Sequence, residues 1–213
     1  LIIDEFVVTE IHITDPSPFE DDLVIEKSLR PSKFDEFIGQ KELVDNLKLY
    51  IEAANNRGDA LDHVLLFGPP GLGKTTLANI ISTELNTNIK QASGPVLERA
   101  GDLAGMITNL GHRDVFFIDE IHRFNKSQQD ALLQAVENGI IPLIGATTEN
   151  PSFEVISPLL SRCQVLKLDP HSKEDLEQII KRAIKEDLFL STQKIRFQKA
   201  AKELLVESVS GDA

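Results

Sequence analysis

The sequence predicts an α/β protein: a parallel five-stranded sheet flanked by helices, with two further helices after it. Three observations predict this. Short apolar runs alternate with helical patterns from residue 39 onward. The glycine-rich stretch Gly68 to Thr75 falls between one such run and one such helix. A second apolar run, Val115 to Ile118, ends in two consecutive carboxylates, Asp119 and Glu120.

Taken in order, residues 1–26 read as a separate acidic segment. Val7, Thr9, Ile11 and Ile13 alternate as in a weak strand, which Asp15-Pro16-Ser17-Pro18 breaks. From Gly39 to about Asn56 a helical pattern aligns Leu43, Leu47, Ile51 and Ala54. His63 to Phe67 is an apolar run ending at a glycine and reads as a buried parallel strand. Thr75 to Leu85 reads as helix, Ile89 to Ala92 as a short strand, and Val115 to Ile118 as a buried strand. Asn125 suits the N-cap of a helix over Lys126 to Asn138 that Gly139 closes. Ile140 to Ala146 and Gln164 to Leu168 are the remaining strands. Ser172 with Asp175 opens a helix over Lys173 to Leu188 as a variant of the capping box, and another helix spans about Lys194 to Ser208.

Composition narrows the classes. Of 213 residues, 41% are hydrophobic and 26% charged, so the chain has material for a core and is not wholly disordered. No apolar run approaches the ~20 residues of a membrane span. Leu1 to Thr14 has no basic region of the kind that opens a signal peptide, and a first residue of Leu is compatible with a fragment. One cysteine, Cys163, excludes an internal disulfide framework and a multi-cysteine zinc site. A soluble, cytoplasmic setting is the expectation. The net charge is -12, of which residues 1–26 carry -8 with no Lys or Arg. This argues against non-specific binding of a monomer to DNA or anionic lipid, and leaves open a basic strip assembled by several subunits.

Gly68-Pro69-Pro70-Gly71-Leu72-Gly73-Lys74-Thr75 fits G-x-x-x-x-G-K-[ST] without a gap. Its glycines let the backbone wrap around phosphate oxygens, and its amides and the following helix N-terminus point at negative charge. Lys74 is expected to reach the β- and γ-phosphates and the Thr75 hydroxyl to ligate Mg²⁺. The plainer alternative is a glycine turn with an incidental lysine, a pattern that arises by chance in such a chain on the order of 1% of the time.

Asp119 and Glu120 stand at the carboxyl end of a predicted strand, where ligands bind in open α/β sheets. Asp119 would hold Mg²⁺ through its water shell, and Glu120 would polarise the attacking water as general base. Alone, such a pair often just marks a strand end. Thr147, at the tip of the next strong strand, suits orientation of that water, against the ordinary preference of threonine for strands. Arg162, in Ser161-Arg162-Cys163, is either a surface arginine or a finger for a neighbouring subunit's γ-phosphate. His122 follows the carboxylates. With no other His at ligand spacing, a structural or coupling role suits it better than a catalytic or metal role.

These blocks, in this order, resemble those of the AAA+ ATPases over about residues 28 to 213. Residues 68 to 75 stand as Walker A, 115 to 120 as Walker B, Thr147 as sensor 1 and Arg162 as the arginine finger. Within that family, residues 28 to 123 resemble RuvB proteins, through Ser28-Leu29-Arg30-Pro31, Phe37-Ile38-Gly39-Gln40, Ala60 to Phe67, Ser93-Gly94-Pro95, Gly101-Asp102-Leu103-Ala104 and Leu110 to Arg123. Residues from Walker B onward resemble RarA proteins, through Arg123 to Ala131, Gly145 to Glu154 and Leu159 to Cys163.

The resemblance implies ATP and Mg²⁺, a nucleotide-binding domain over 27–168 and part of a helical lid over 169–213. It also implies an adenine site near Leu29, Arg30, Pro31, Ile38 and Gly39, with Thr76 beside the phosphate loop. For Arg30-Pro31 a linker bend is the plainer alternative. The implied function is an ATPase module of a motor for Holliday junctions or replication forks. Such a motor works on branched DNA as a homo-oligomeric ring and at no membrane. RuvB proteins dock RuvA with a long β-hairpin between Walker B and sensor 1. Here only Ile121 to Leu143 separates the two, mostly as one helix, so RuvA docking is not expected. In RarA-like proteins the sensor 2 arginine follows the match to Gly211-Asp212-Ala213, which suggests an incomplete lid. A clamp-loader-like switch with little ATP turnover is therefore the competing reading. A small-molecule kinase fits less well, because consecutive Asp-Glu and Thr147 suit attack by water.

Overall fold

The apolar runs form five strands: β1 (His63–Phe67), β2 (Ile89–Ser93), β3 (Val115–Asp119), β4 (Leu143–Thr147) and β5 (Cys163–Lys167). They come from a computed structural model that describes residues 30–93, 100–137, 139, 141–186 and 199–209. All pairings are parallel, in the order β2-β3-β4-β1-β5. The predicted acidic segment 1–26 lies outside the described residues, as does Leu29.

Parallel strands inside a sheet bury both faces, which is why the central strands β1, β3 and β4 are apolar almost throughout rather than alternating, whereas the edge strands β2 and β5 carry exposed polar residues. On one face Val64 and Leu66 of β1, Val115 and Phe117 of β3, and Ile144 and Ala146 of β4 pack under two helices. These are α1 (Lys41–Arg57) and α2 (Lys74–Leu85). The facing stripes are Leu43, Leu47, Ile51 and Ala54 of α1 with Leu77, Ile80 and Ile81 of α2. On the other face Leu65, Phe116, Ile118 and Leu143 pack against Leu103, Leu132, Val136 and Leu159. Those four come from α3 (Ala100–Thr108), α4 (Lys126–Glu137) and α6 (Ser157–Leu160); the short α5 (Pro151–Glu154) precedes α6. The chain then continues into α7 (Lys173–Glu186) and α8 (Lys199–Ser208).

Several boundaries differ from the sequence expectation for physical reasons. The first helix begins at Lys41, because Gly39 and Gln40 both adopt left-handed backbone (φ +81° and +51°) and turn the chain into it. Lys74 already belongs to α2. The strand expected from Ile140 begins at Leu143: Pro142 has no N–H for the ladder and contributes only its carbonyl, to Phe116 N–H at 2.9 Å. β5 runs one residue earlier than expected, Cys163 opposite His63. α3 was not expected at all. Gly101 and Gly105 dilute its helix propensity, although Leu103, Met106, Ile107 and Leu110 repeat with helical spacing and pack on the core.

The predicted caps form. Asn125 Oδ1 accepts from Gln128 N–H at 3.0 Å, and Gln128 Oε1 accepts from Asn125 N–H at 2.9 Å, a reciprocal capping box. Ser172 Oγ accepts from Asp175 N–H at 3.1 Å, and Asp175 Oδ2 accepts from Ser172 N–H at 3.2 Å. The ends expected at Asn138 and Leu188, and the start at Lys194, lie outside the described residues. Among the described residues no helix is long and apolar enough to cross a membrane.

His63 ties the layers together. Its Nδ1 accepts from Leu143 N–H at 3.1 Å, so its Nε2 donates to the Val136 carbonyl at 3.2 Å. Burial pushes its pKa below the ordinary value. With the native pKa lowered, the unfolded chain binds more protons. The contribution is therefore complete above the ordinary histidine value and lost as pH falls from there through the lower native value. Chemical denaturation of wild type and His63→Gln across this window should show the wild-type advantage shrinking on acidification. An advantage independent of pH would count against this role.

Candidate nucleotide site

The carboxyl ends of β1, β3 and β4 meet at one edge of the sheet. Phe67 stands in register with Thr147, and Ile118 with Gly145. This levels Asp119 and Thr147 with the start of the glycine loop. A cleft of about 380 Å³ opens there, lined among others by Gly73, Lys74, Thr75, Asp119, Glu120 and Thr147. Thr76, Pro70, Gly71 and Arg30 also border it. The predicted phosphate loop, the carboxylate pair and the strand-tip threonine are thus brought together.

The loop's glycines answer to close contacts. A Cβ on Gly68 would lie 2.7 Å from the Leu168 carbonyl oxygen, at the end of β5. Gly73 has φ +80° immediately before α2, and a Cβ there would lie 2.9 Å from the Phe37 ring. Gly68 N–H donates to the Thr147 carbonyl at 3.1 Å, which binds the loop to the tip of β4. Pro69 and Leu72 complete the loop, Pro69 exposed and Leu72 buried in the core beneath it. Lys74 is only 8% exposed. Its Nζ donates to the carbonyls of Gly68 (2.7 Å) and Pro69 (2.6 Å), curling back over the loop.

Glu120 follows β3 with left-handed backbone (φ +51°, ψ +48°). For a residue with a Cβ this costs about 1–2 kcal/mol and is common at functional positions. Its carboxylate pairs with Arg123 Nε at 2.5 Å. Asp119 Oδ1 accepts from Glu120 N–H at 3.0 Å. Thr147 is 1% exposed, with its Oγ1 3.0 Å from His122 Nδ1. Thr75 and Asp119 border both this cleft and a second one behind β3. Their oxygens suit a hard divalent ion. Among the described residues no three or more His, Cys, Asp and Glu gather into a metal cage. Such an ion would complete its shell with waters and phosphate oxygens.

An apolar cleft of about 460 Å³ adjoins the first, sharing Arg30, Gly71, Gly73 and Thr76. Of the residues named for an adenine site, Arg30, Pro31 and Ile38 line this cleft, whereas Gly39 turns the chain behind it, against His171. Sequence reasoning missed its far wall. Ile179, Arg182, Ala183 and Glu186 line it from α7, and their spacing marks one helix face. Arg182 donates through Nη1 to the Glu36 carbonyl at 2.5 Å, fastening α7 to the 3-10 turn before Phe37, and through Nε to Glu186 of its own helix at 2.6 Å.

Arg162 is not brought to this site. Cys163 starts β5 opposite His63, at the edge of the sheet away from the phosphate loop. Four residues of strand, roughly 13 Å, separate the two levels. Arg162 is 41% exposed, and it donates to the Pro158 carbonyl (2.8 Å) and to Glu137 (2.9 Å). Burial pushes the neighbouring Cys163 thiol up to about 11, so it stays an unreactive thiol at neutral pH.

The family described as "Holliday junction DNA helicase RuvB P-loop domain" matches residues 29–158, a range that runs through the Arg123 to Glu154 stretch resembling RarA. A Clostridium kluyveri protein, "Holliday junction branch migration complex subunit RuvB", is 45% identical, covering 82% of this chain and 55% of its own length. The solved structure of the Thermotoga maritima RuvB Holliday junction branch migration motor superposes with a TM-score of 0.73. It is 48% identical, over 84% of this chain and 59% of that one. A substituted form of the same Thermotoga maritima protein gives a TM-score of 0.74 at 47% identity. The chain thus spans little more than half the length of these relatives. A glycine loop, carboxylate pair and strand-tip threonine on a β2-β3-β4-β1-β5 sheet, with this family match, mean that the chain belongs to the RuvB P-loop family of AAA+ proteins.

Proposed function

We propose that the chain is the ATP-binding and ATP-hydrolysing module of a motor that remodels branched DNA, at Holliday junctions or forks, within a homo-oligomeric ring. The observation that carries this is the convergence of Lys74, Thr75, Asp119, Glu120 and Thr147 on one cleft beside an apolar cleft of a size for a base. The apolar cleft, with Arg30, Pro31 and Ile38, receives the adenine. Residues 27–168 act as the nucleotide-binding domain and 169–213 as part of the lid.

On this reading the loop amides and Lys74 hold the phosphates, Lys74 exchanging the Gly68 and Pro69 carbonyls for phosphate oxygens. Thr75 and Asp119 hold Mg²⁺, which neutralises charge on the phosphates when bound. Glu120 takes a proton from the attacking water, and Thr147 orients that water and the γ-phosphate. Arg162, remote from its own loop, serves a neighbour's γ-phosphate, so each site is shared by two subunits. Between β3 and β4 the described residues form a 3-10 turn (Ile121–Arg123) and α4, with no hairpin among them. This supports a motor that does not dock RuvA through that segment.

The test is ATP hydrolysis across a protein titration, without DNA, with a gapped fork and with a four-way junction, using Lys74→Ala as the blank. A rate per subunit that rises with concentration, and rises further with junction or fork, is expected. A flat rate over a hundredfold range would remove the shared site. Tight Mg²⁺–ATP binding with no turnover under any condition would favour the nucleotide switch.

A further inference from the structure

We propose that His122 is a positioning residue that makes the Thr147 hydroxyl an obligate hydrogen-bond donor to the phosphate, a proposal that rests on the role given to Thr147 above. His122 sits half-buried in the 3-10 turn that follows Glu120, and its Nδ1 lies 3.0 Å from Thr147 Oγ1. The same oxygen accepts from Glu149 N–H at 3.0 Å and donates to the Glu149 carbonyl at 3.2 Å.

A threonine hydroxyl has one proton and two lone pairs. The Glu149 N–H occupies one lone pair. The Glu149 carbonyl can only accept, so it takes the single proton. All three contacts are satisfied together only if His122 Nδ1 carries a hydrogen and donates it to the second lone pair. In that state the oxygen is pinned by two N–H donors, and its proton alone is free to turn. A phosphate oxygen entering the cleft then competes with one carbonyl for that proton, and nothing else about Thr147 has to move. A bare Nδ1 would compete with the phosphate for the same proton and leave a lone pair of Thr147 facing it, lone pair against lone pair. His122 Nδ1–H is the reverse of the tautomer that predominates in free histidine, so its presence would be a property of this pairing.

The first test uses nucleotide-free protein and needs no turnover. Imidazole ¹⁵N–¹H correlation spectra, recorded well above the ordinary histidine pKa, report which nitrogen bears the proton. His122→Asn identifies the ring by difference. A proton on Nδ1 is expected, and a ring protonated only at Nε2 would overturn the proposal. The second test is kinetic. His122→Phe should lower kcat by about tenfold to a hundredfold, the scale on which outer-shell partners act, with little change in KM for ATP. His122→Asn, which keeps an N–H donor near the Nδ1 position, should recover most of that loss. Failure of Asn to rescue a folded protein, or a fall in KM and kcat together, would overturn it. Thr147→Val separates the two layers of inference. If it is inactive while His122→Phe is unimpaired, only the proposal fails. If Thr147→Val itself turns over like wild type, the role given to Thr147 fails and takes the proposal with it.

Discussion

Replacing Arg162 with Ala is expected to leave Mg²⁺–ATP binding by a subunit intact and to lower hydrolysis by about 10³- to 10⁵-fold, the effect of removing an arginine finger. The loss cannot come from its own cleft, because β5 starts at the opposite edge of the sheet from the phosphate loop. Nor should it come from the core: the side chain is 41% exposed, and its bonds to Glu137 and the Pro158 carbonyl are surface contacts worth little. The diagnostic measurement is complementation. Mixed with Glu120→Gln subunits, Arg162→Ala subunits should regain activity at interfaces where an intact Glu120 meets an intact Arg162. In a one-to-one random ring that is roughly one interface in four. Activity that never exceeds the sum of the separate variants would sink the shared site and leave Arg162 a surface residue.

Glu120→Gln alone is expected to lower hydrolysis by about 10²- to 10⁴-fold, the contribution of a positioned general base, while ATP binding persists. The amide has nearly the shape of the carboxylate and no proton-accepting charge, so the two effects separate. The left-handed backbone at Glu120 remains occupied by a residue with a Cβ, and its cost to folding should not change. Isothermal binding titration beside a phosphate-release assay reads both quantities. Undiminished turnover would mean that another group takes the proton, and Asp119 would then be the residue to vary.

The central site was legible because it is local. The phosphate loop lies between a strand and a helix in consecutive residues, and its needs are backbone needs that glycine answers alone. Asp119, Glu120 and Thr147 were legible for a related reason: the carboxyl ends of parallel strands form one edge wherever those strands lie in the sheet. The apolar cleft was half legible. Arg30, Pro31 and Ile38 came from resemblance, but the wall from Ile179 to Glu186 belongs to a helix more than 140 residues further on in sequence. Its amphipathic pattern announced a buried face without saying what it would bury. The helix over Ala100–Thr108 went unread because two glycines masked a regular apolar stripe that packing overrides.

Sequence by itself determined most of the element types, the helix over Ala100–Thr108 excepted, together with the phosphate loop and the chemistry available at the strand tips, since each depends on periodicity, turn residues and side-chain type within a short window. Tertiary structure decided which of those groups share a cleft. The order β2-β3-β4-β1-β5 inserts β4 between β1 and β3, so that Thr147 stands between the loop and the carboxylates. That order depends on which buried faces pack together, which no local pattern encodes. It also decided that Arg162 faces away from its own site and that His122 meets Thr147. Both follow from the direction and register of strands distant in sequence, set by the fit of a close-packed core.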